Sequence, residues 1–448
     1  MWFKNCFCTN SICTPSRATI LTGKYGHKNG CRTLDDIFDG GQQTFPKLLQ
    51  KAGYYTAIVG KWHLKTQPTG FDYYNVLPGQ GLYFDPILNE KGMPWWDNEE
   101  DPEVEGAGGK RYKGYVTDVI TDLVLDFLKN RPKDKPFCLL YHHKGPHDMW
   151  EYDKKHAHLY EDIDIPEPDN LFDDYKNRGQ AIKRTTEKIG MEETLFLHEA
   201  QDDQFEDVGE KLKDLPPKEQ KRKAYQYFIK AYLRCVASVD ENTGRVLDYL
   251  DRTGLADNTL VVYTSDQGVF LGEHGLFDKR LMYEESLRMP FLARYRRRIK
   301  AGSVNNDIIT NLDFAETFLD YADVPIPKDM QGRSLRPLFE GKTPDDWPQS
   351  MYYRYWMHLP HFRVAAHFGV RTKRYKLIYF YGRPMGASGA VNRRTPPEWE
   401  LFDLKKDPSE MNNVYDEPAY ADIVRQLKRE LIRLRTKYED EDGIVISL

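Results

Sequence analysis

The chain has 448 residues, 40% hydrophobic and 30% charged, enough for one large core or two domains and too apolar for a disordered chain. Against 69 Asp and Glu, the 64 Lys and Arg leave a net charge of −5, so no basic excess exists to hold nucleic acid or an anionic membrane. No apolar run reaches the ~18 residues of a membrane span, and residues 1–17 read as no signal peptide.

The opening MWFKNCFCTNSICTPSR reads as the middle of a domain, with neither a helix cap nor a complete first strand. An amphipathic helix is expected over PSRATILTGKY, stopping near Gly23 and Gly26. TFPKLLQKAGY is a short helix, and TAIVGKWHL a strand running into a loop at Gly60. Residues 68–110, rich in Gly, Pro, Asp and Trp, are expected as irregular surface. VTDVITDLVLDFLKN repeats apolar residues at helical spacing, and PFCLLYHH follows as a buried strand, the alternation of an α/β fold. The polar stretch 151–222 is expected to hold helices near 173–190 and 216–222, the second continuing over about 223–252. TLVVYTSDQG is a buried strand delivering Ser265, Asp266 and Gln267 at its end, where α/β sheets bind ligands. DIITNLDFAETFLDYADV is a short strand and a helix. From residue 346 the texture changes: SMYYRYW, FRVAAHFGVRTKRYKLIYF and WELFDL read as antiparallel strands before a final helix. Residues 346–448 are therefore expected as a smaller α+β subdomain beside a catalytic domain over 1–345.

Several patterns carry chemistry. Cys6 and Cys8 followed by Cys13 lack the second pair or His cluster of a zinc site. Cys13 opens a Pro-containing helix start, where backbone N–H groups and the helix dipole stabilise negative charge. Arg17, four residues on, offers a fork matched to an oxyanion; a buried cysteine beside a surface arginine fits the same spacing. Lys61 and His63 fall on one side of GKWHL if it is extended, making an anion clamp with a proton donor, or else a solvated lysine and a core histidine. His142, His143 and His147 follow the PFCLLY strand, with His147 expected inward. Asp266 and Gln267 offer two oxygen ligands of the kind hard cations take, or an Asx-type turn. His274 and Lys279 lie in the Gly-rich GEHGLFDKR loop, suited to wrapping a small anion. Taken together, these groups fit hydrolysis of a sulfate or phosphate ester.

CTPSRATILTGKYGH at 13–27, GKWHL at 60–64, SDQG at 265–268, GEHG at 272–275 with Lys279, and MYEESLRMPF at 282–291 together resemble the signatures of the type I sulfatases. The likeness runs through the closing ELFDLKKDPSEMNN. It implies an alkaline-phosphatase-like α/β fold, a central mixed, mostly parallel sheet flanked by helices, with the smaller C-terminal antiparallel sheet and helix. It implies that Cys13 is converted to formylglycine by a formylglycine-generating or anaerobic sulfatase-maturing enzyme, and that Ca²⁺, rather than Mg²⁺, occupies the site. Cys13, Asp266 and Gln267 would then be metal ligands; family members more often carry Asn where Gln267 stands. Arg17 and Lys61 would steady nucleophile and sulfate, His63 would help expel the hydrate oxygen, and His147 and Lys279 would contact sulfate or the leaving group.

The family also places a pair of metal-binding aspartates on a strand some tens of residues before the cysteine motif. Only twelve residues precede Cys13 here, so the reading expects a misassigned start or a truncation, and weak metal binding by the chain as given. CFCTNSICTPSR, TGFDYYNVLPGQG at 69–81 and the run 351–380 resemble bacterial carbohydrate sulfatases closest to the N-acetylglucosamine-6-sulfatase-like group. That resemblance implies a periplasmic or exported enzyme. Arg354, His358, His361 and His367 are candidates to line its sugar pocket, with interdomain packing the competing role. A phosphatase or phosphonate hydrolase of the same superfamily and an inactive glycan-binding relative are the alternatives.

Overall fold

The computed structural model describes residues 1–95, 109–190, 208 and 212–448. The opening WFKNCF, expected to lack a complete strand, forms β1 (Trp2–Phe7). Phe3, Cys6 and Phe7 are buried while Trp2 and Lys4 face out. The period-2 signal is present but interrupted at Asn5 by a register shift against its neighbour. The chain divides into two units: Met1–Ile37, Asp169–Glu187 and Leu260–Leu448 form the first, and Phe38–Pro168 with Lys188–Thr259 the second.

The second unit holds β2 (Tyr55–Lys61), β3 (Tyr73–Leu77), β4 (Ile87–Glu90), β5 (Gly109–Arg111) and β6 (Phe137–His142), in the order β5-β4-β3-β2-β6. β2 runs parallel to β3 and β6, and the other two pairings are antiparallel. Two of these strands lie inside the stretch expected to be irregular, where Tyr74, Val76, Ile87 and Leu88 are buried among turn residues. Residues 96–108 of that stretch fall outside the described residues. Helix Val116–Asn130 buries Val116, Ile120, Val124 and Phe127, the stripe its spacing foretells. The helix expected to start near 216 and continue to about 252 is observed as Pro217–Arg252, with proline only in its first turn. The helix expected near 173–190 shrinks to Gln180–Arg184, and residues 191–207 and 209–211 of the polar stretch lie outside the described residues.

In the first unit follow β7 (Val261–Thr264), the small pair β8 (Phe270–Leu271) and β9 (Phe277–Asp278), then β10 (Arg288–Met289), β11 (Phe291–Arg294) and β12 (Val304–Thr310). The sheet order is β10-β1-β11-β7, with β12 on the other side of β1. β1 is parallel to β12 (Phe7 opposite Thr310) and antiparallel to β10 and β11 (Cys6 opposite Met289, Trp2 opposite Leu292). Pro290, which lacks an N–H, splits β10 from β11. β7 and β6, both expected as buried strands, are only partly covered; among the described residues each ends its sheet's strand order and is paired on one side.

The C-terminal strands β13 (Ser350–Tyr355), β14 (His367–Thr372), β15 (Tyr375–Phe380) and β16 (Glu398–Asp403) form an antiparallel sheet in sequence order. Helix Ala421–Lys437 closes one face, with Val424, Leu427, Leu431 and Leu434 packed into one core with Phe368, Val370 and Leu377. A second core around Phe3, Phe7, Phe291, Phe314 and Phe339 supports β1 and the cysteine-bearing helix. Mixed sheets flanked by helices, with a smaller antiparallel C-terminal sheet, are the architecture the sequence reading expected.

Candidate functional site

Cys13 is the first residue of helix Cys13–Thr22, preceded by an extended Ile12. Its side chain is buried at 2% exposure, at the end of the helix where the macrodipole favours negative charge. Cys8 is a different thiol: burial pushes it up to about 12, so it stays inert. One turn into the helix, Arg17 Nε donates to Asp266 Oδ2 at 2.9 Å. Ser16 Oγ donates to the Asp266 backbone oxygen, and Asn311 Nδ2 donates to Ser16 Oγ at 2.9 Å. The cysteine helix is thus tied to the end of β7 by a guanidinium and a hydroxyl, and Asn311, just after β12, holds that hydroxyl. Gly268 is required just beyond: a Cβ there would lie 2.0 Å from the Glu285 carbonyl oxygen.

A divalent cation fits this donor set in one specific respect. Gln267 Oε1 is buried without a hydrogen-bond partner, an acceptor that folding has taken from water and left unsatisfied. Asp266 keeps one carboxylate oxygen beyond the one bound by Arg17. Among the described residues no cluster of three His, Cys, Asp or Glu is assembled for a metal, and two oxygens at the end of β7 are fewer than a hard cation needs.

Lys279 and Arg280 both bind the Asp278 carboxylate, Lys279 Nζ at 2.6 Å. Glu187 lies buried with them, and both its oxygens lack hydrogen-bond partners. Burial holds its carboxyl well above the usual range, against the opposing pull of Arg280 and Lys279. His274 is buried with a left-handed backbone (φ 55°), its Nδ1 donating to Asp173 Oδ2 at 2.9 Å. Burial would raise Asp173, but His274 and Arg178 outweigh it and bring the carboxyl down to about 2.

The residues expected to line a sugar pocket separate into two kinds. Arg354 on β13 is buried, with Nη1 at 2.8 Å from both Asp440 oxygens, Nη2 paired with Asp442, and its guanidinium 3.3 Å from the Trp356 ring centre. His358 Nε2 donates to the Arg393 carbonyl at 2.8 Å, and its Nδ1 accepts from Ala366 N at 3.1 Å. His367 is buried, and burial lowers it to about 4. Only His361 lies exposed, on the loop between β13 and β14.

The second unit gathers its own group. β2 ends at Lys61, and His63 takes φ 56°, so the extended alternation expected to align the two does not reach His63; both are nevertheless buried. Gly60, with φ 103°, lets β2 approach β6: a Cβ there would lie 1.8 Å from the His142 oxygen. His142 Nδ1 donates to the Lys61 carbonyl at 3.1 Å, and Lys61 Nζ donates to Gln80 Oε1 at 2.6 Å. His147 Nδ1 donates to the Asp148 carbonyl at 2.8 Å and pairs with the Asp148 carboxylate. His143 is half-buried against Tyr141, and loss of hydration lowers it to about 3. Ser16, Asn311, Gln80, Lys144 and Glu187 were not marked in the sequence. Their partners lie up to 295 positions away, beyond any local pattern.

The profile of the family described as Sulfatase matches residues 1–324, and that described as N-sulphoglucosamine sulphohydrolase, C-terminal, matches residues 272–437. The chain is 42% identical to an N-acetylglucosamine-6-O-sulfatase of Bacteroides thetaiotaomicron, over 98% of this chain and 80% of that protein. A solved complex of a protein with its substrate D-glucosamine-2-N,6-O-disulfate superimposes with TM-score 0.89 at 41% identity, over 99% of this chain and 92% of the other. A phosphonate monoester hydrolase of Silicibacter pomeroyi shares the fold at TM-score 0.70 and 23% identity, over 99% and 89%.

Proposed function

Because the chain belongs to the sulfatase family, we propose that it hydrolyses the sulfate ester of a sulfated amino sugar, with N-acetylglucosamine-6-sulfate as the preferred unit. The observation that carries the reading is the join between Cys13's helix and Asp266 through Arg17 and Ser16, in a chain so similar to a 6-O-sulfatase. A maturing enzyme would convert Cys13 to formylglycine, whose hydrate supplies an oxygen nucleophile. A Ca²⁺ ion held by Asp266, Gln267 and the residue 13 oxygen would act as a Lewis acid on the sulfate.

The chain's own groups carry the remaining work. Arg17, held on Asp266, brings a guanidinium charge to the oxyanion. Lys61, held by Gln80, and Lys279, held by Asp278, bring ammonium charge to the sulfate group while negative charge grows on the departing oxygen. His147, with Nδ1 committed to Asp148, offers Nε2 as the acid that protonates the departing sugar oxygen. His63 accepts a proton when the hydrate collapses and sulfate is expelled. His361 is the exposed candidate for touching the sugar, while Arg354, His358 and His274 are committed to internal bonds.

We also place the enzyme in the periplasm or outside the cell, where sulfated glycans are met; no described helix is long and apolar enough to cross a membrane. The test is a panel of 6-, 4-, 3- and N-sulfated glucosamines with matching phosphate and phosphonate esters. Inorganic sulfate released fastest from the 6-O-sulfate supports the reading. Faster cleavage of a phosphonate or phosphate ester would replace it with the hydrolase alternative, and turnover of nothing would favour a glycan-binding protein.

A further inference from the structure

Lys144 lies on the loop after β6, buried to 6% exposure. Its Nζ donates to the Gln80 backbone oxygen at 3.2 Å, while the side-chain oxygen of the same glutamine accepts from Lys61 Nζ at 2.6 Å. One residue therefore bridges two ammonium groups. Lys144 Nζ also sits 4.6 Å from the Tyr83 ring centre, and the Tyr83 hydroxyl donates to the His147 carbonyl. His147 N in turn donates to the Lys144 carbonyl at 3.1 Å. Lys144 is thus linked to both the group assigned to hold sulfate and the group assigned to protonate the leaving oxygen.

We propose that Lys144 is a positioning residue of the hydrolysis, fixing the Lys61 ammonium through Gln80 and the His147 loop through Tyr83; this rests on the roles given above to Lys61 and His147. A buried lysine is a costly way to fill space, since an apolar side chain of its length would lose no hydration. What the ammonium adds is a donor that anchors Gln80 and a charge that adds to that of Lys61 towards an anion. The charged and titratable groups facing it are Lys61 on β2, Asp148 and Glu151 on its own loop, and Cys235 on helix Pro217–Arg252, with Tyr83 beneath. Burial, reinforced by Lys61, brings Lys144 down to about 8. A lysine with a lowered pKa is charged below that value and neutral above it, so the anchor weakens as pH rises through about 8.

The experiment uses the matured full chain and N-acetylglucosamine-6-sulfate, with kcat/KM measured from pH 6 to 10 for wild type, Lys144→Met, Lys144→Arg and Lys61→Met. Wild type should lose activity above pH about 8. Lys144→Met should lower kcat/KM about tenfold at pH 7, chiefly in kcat, and lose that inflection. Lys144→Arg, charged throughout, should recover most of the rate and move the inflection upward. An inflection near 8 that survives in Lys144→Met, or no recovery with arginine, overturns the proposal. A readout free of turnover is the Lys144 Nζ titration followed by NMR on lysine-labelled protein. It should rise in Lys61→Met, where the like charge is gone, and an unchanged value also overturns the coupling. If Lys61→Met keeps full activity, the role given to Lys61 fails instead; if it is inactive while Lys144→Met is unaffected, only the present proposal falls.

Discussion

Replacing Arg354 by Met separates two roles that the sequence alone left open, contact with the sugar and support of the fold. Its guanidinium is bound at 2.8 Å by both oxygens of Asp440, paired with Asp442, and laid 3.3 Å from the Trp356 ring centre. Methionine nearly conserves the length and removes the charge, leaving the buried Asp440 without its arginine partner, while Asp442 keeps Arg435. Breaking a buried pair from one side costs about 3–5 kcal/mol, and the lost stacking adds about 0.5–2 kcal/mol. The pH dependence has a defined sign. Burial would raise Asp440, but Arg354, His27 and Tyr352 outweigh it and hold the carboxyl below its usual value. A carboxylate lowered in the folded state contributes stability above its unfolded pKa of about 3.9, and that contribution is lost as pH falls through the lower folded value. Arg354→Met should therefore be most destabilised near neutral pH, with the penalty shrinking once Asp440 can take a proton. Urea unfolding at pH 7 and pH 4, together with KM on the surviving folded fraction, measures both effects. An unchanged unfolding midpoint with a raised KM would refute the structural role and restore Arg354 to the sugar pocket.

Gln267→Leu removes an acceptor that is buried and unsatisfied without a cation. Stability without metal should hold or rise by about 1 kcal/mol, while Ca²⁺ affinity by calorimetry falls about tenfold or more; equal affinity would count against ligation by Gln267. Gly60→Ala places a Cβ 1.8 Å from the His142 oxygen at φ 103°, so β2 and β6 must separate. Thermal unfolding should report a loss above about 3 kcal/mol, and a change inside about 0.5 kcal/mol would show that the approach is not obligatory.

The sequence disclosed those features whose cause is local. Helix Cys13–Thr22 follows from its own spacing and its stop at Gly23, and the C-terminal strands from short runs rich in aromatic residues. The delivery of Asp266 and Gln267 at a strand end was legible for the same reason. Features set by distant partners were not. The pairing of Arg354 with Asp440 spans 86 positions and that of Ser16 with Asp266 spans 250, so neither leaves a local trace. Strands β3 and β4 were hidden because tight turns crowd their flanks with Gly and Pro, and His63 escaped the alternation argument because its backbone turns left-handed just past the strand. Buried lysines such as Lys144 carry a helper's role that no motif around them announces.

The most direct test of the central claim is the mass of the peptide containing Cys13, from protein co-produced with a formylglycine-generating enzyme. The account predicts that the thiol sulfur is replaced by an aldehyde oxygen at Cys13, and at no other cysteine, with sulfate release from N-acetylglucosamine-6-sulfate rising in proportion to that conversion. An intact thiol at Cys13 in protein that still releases sulfate, or full conversion without any release, would contradict it.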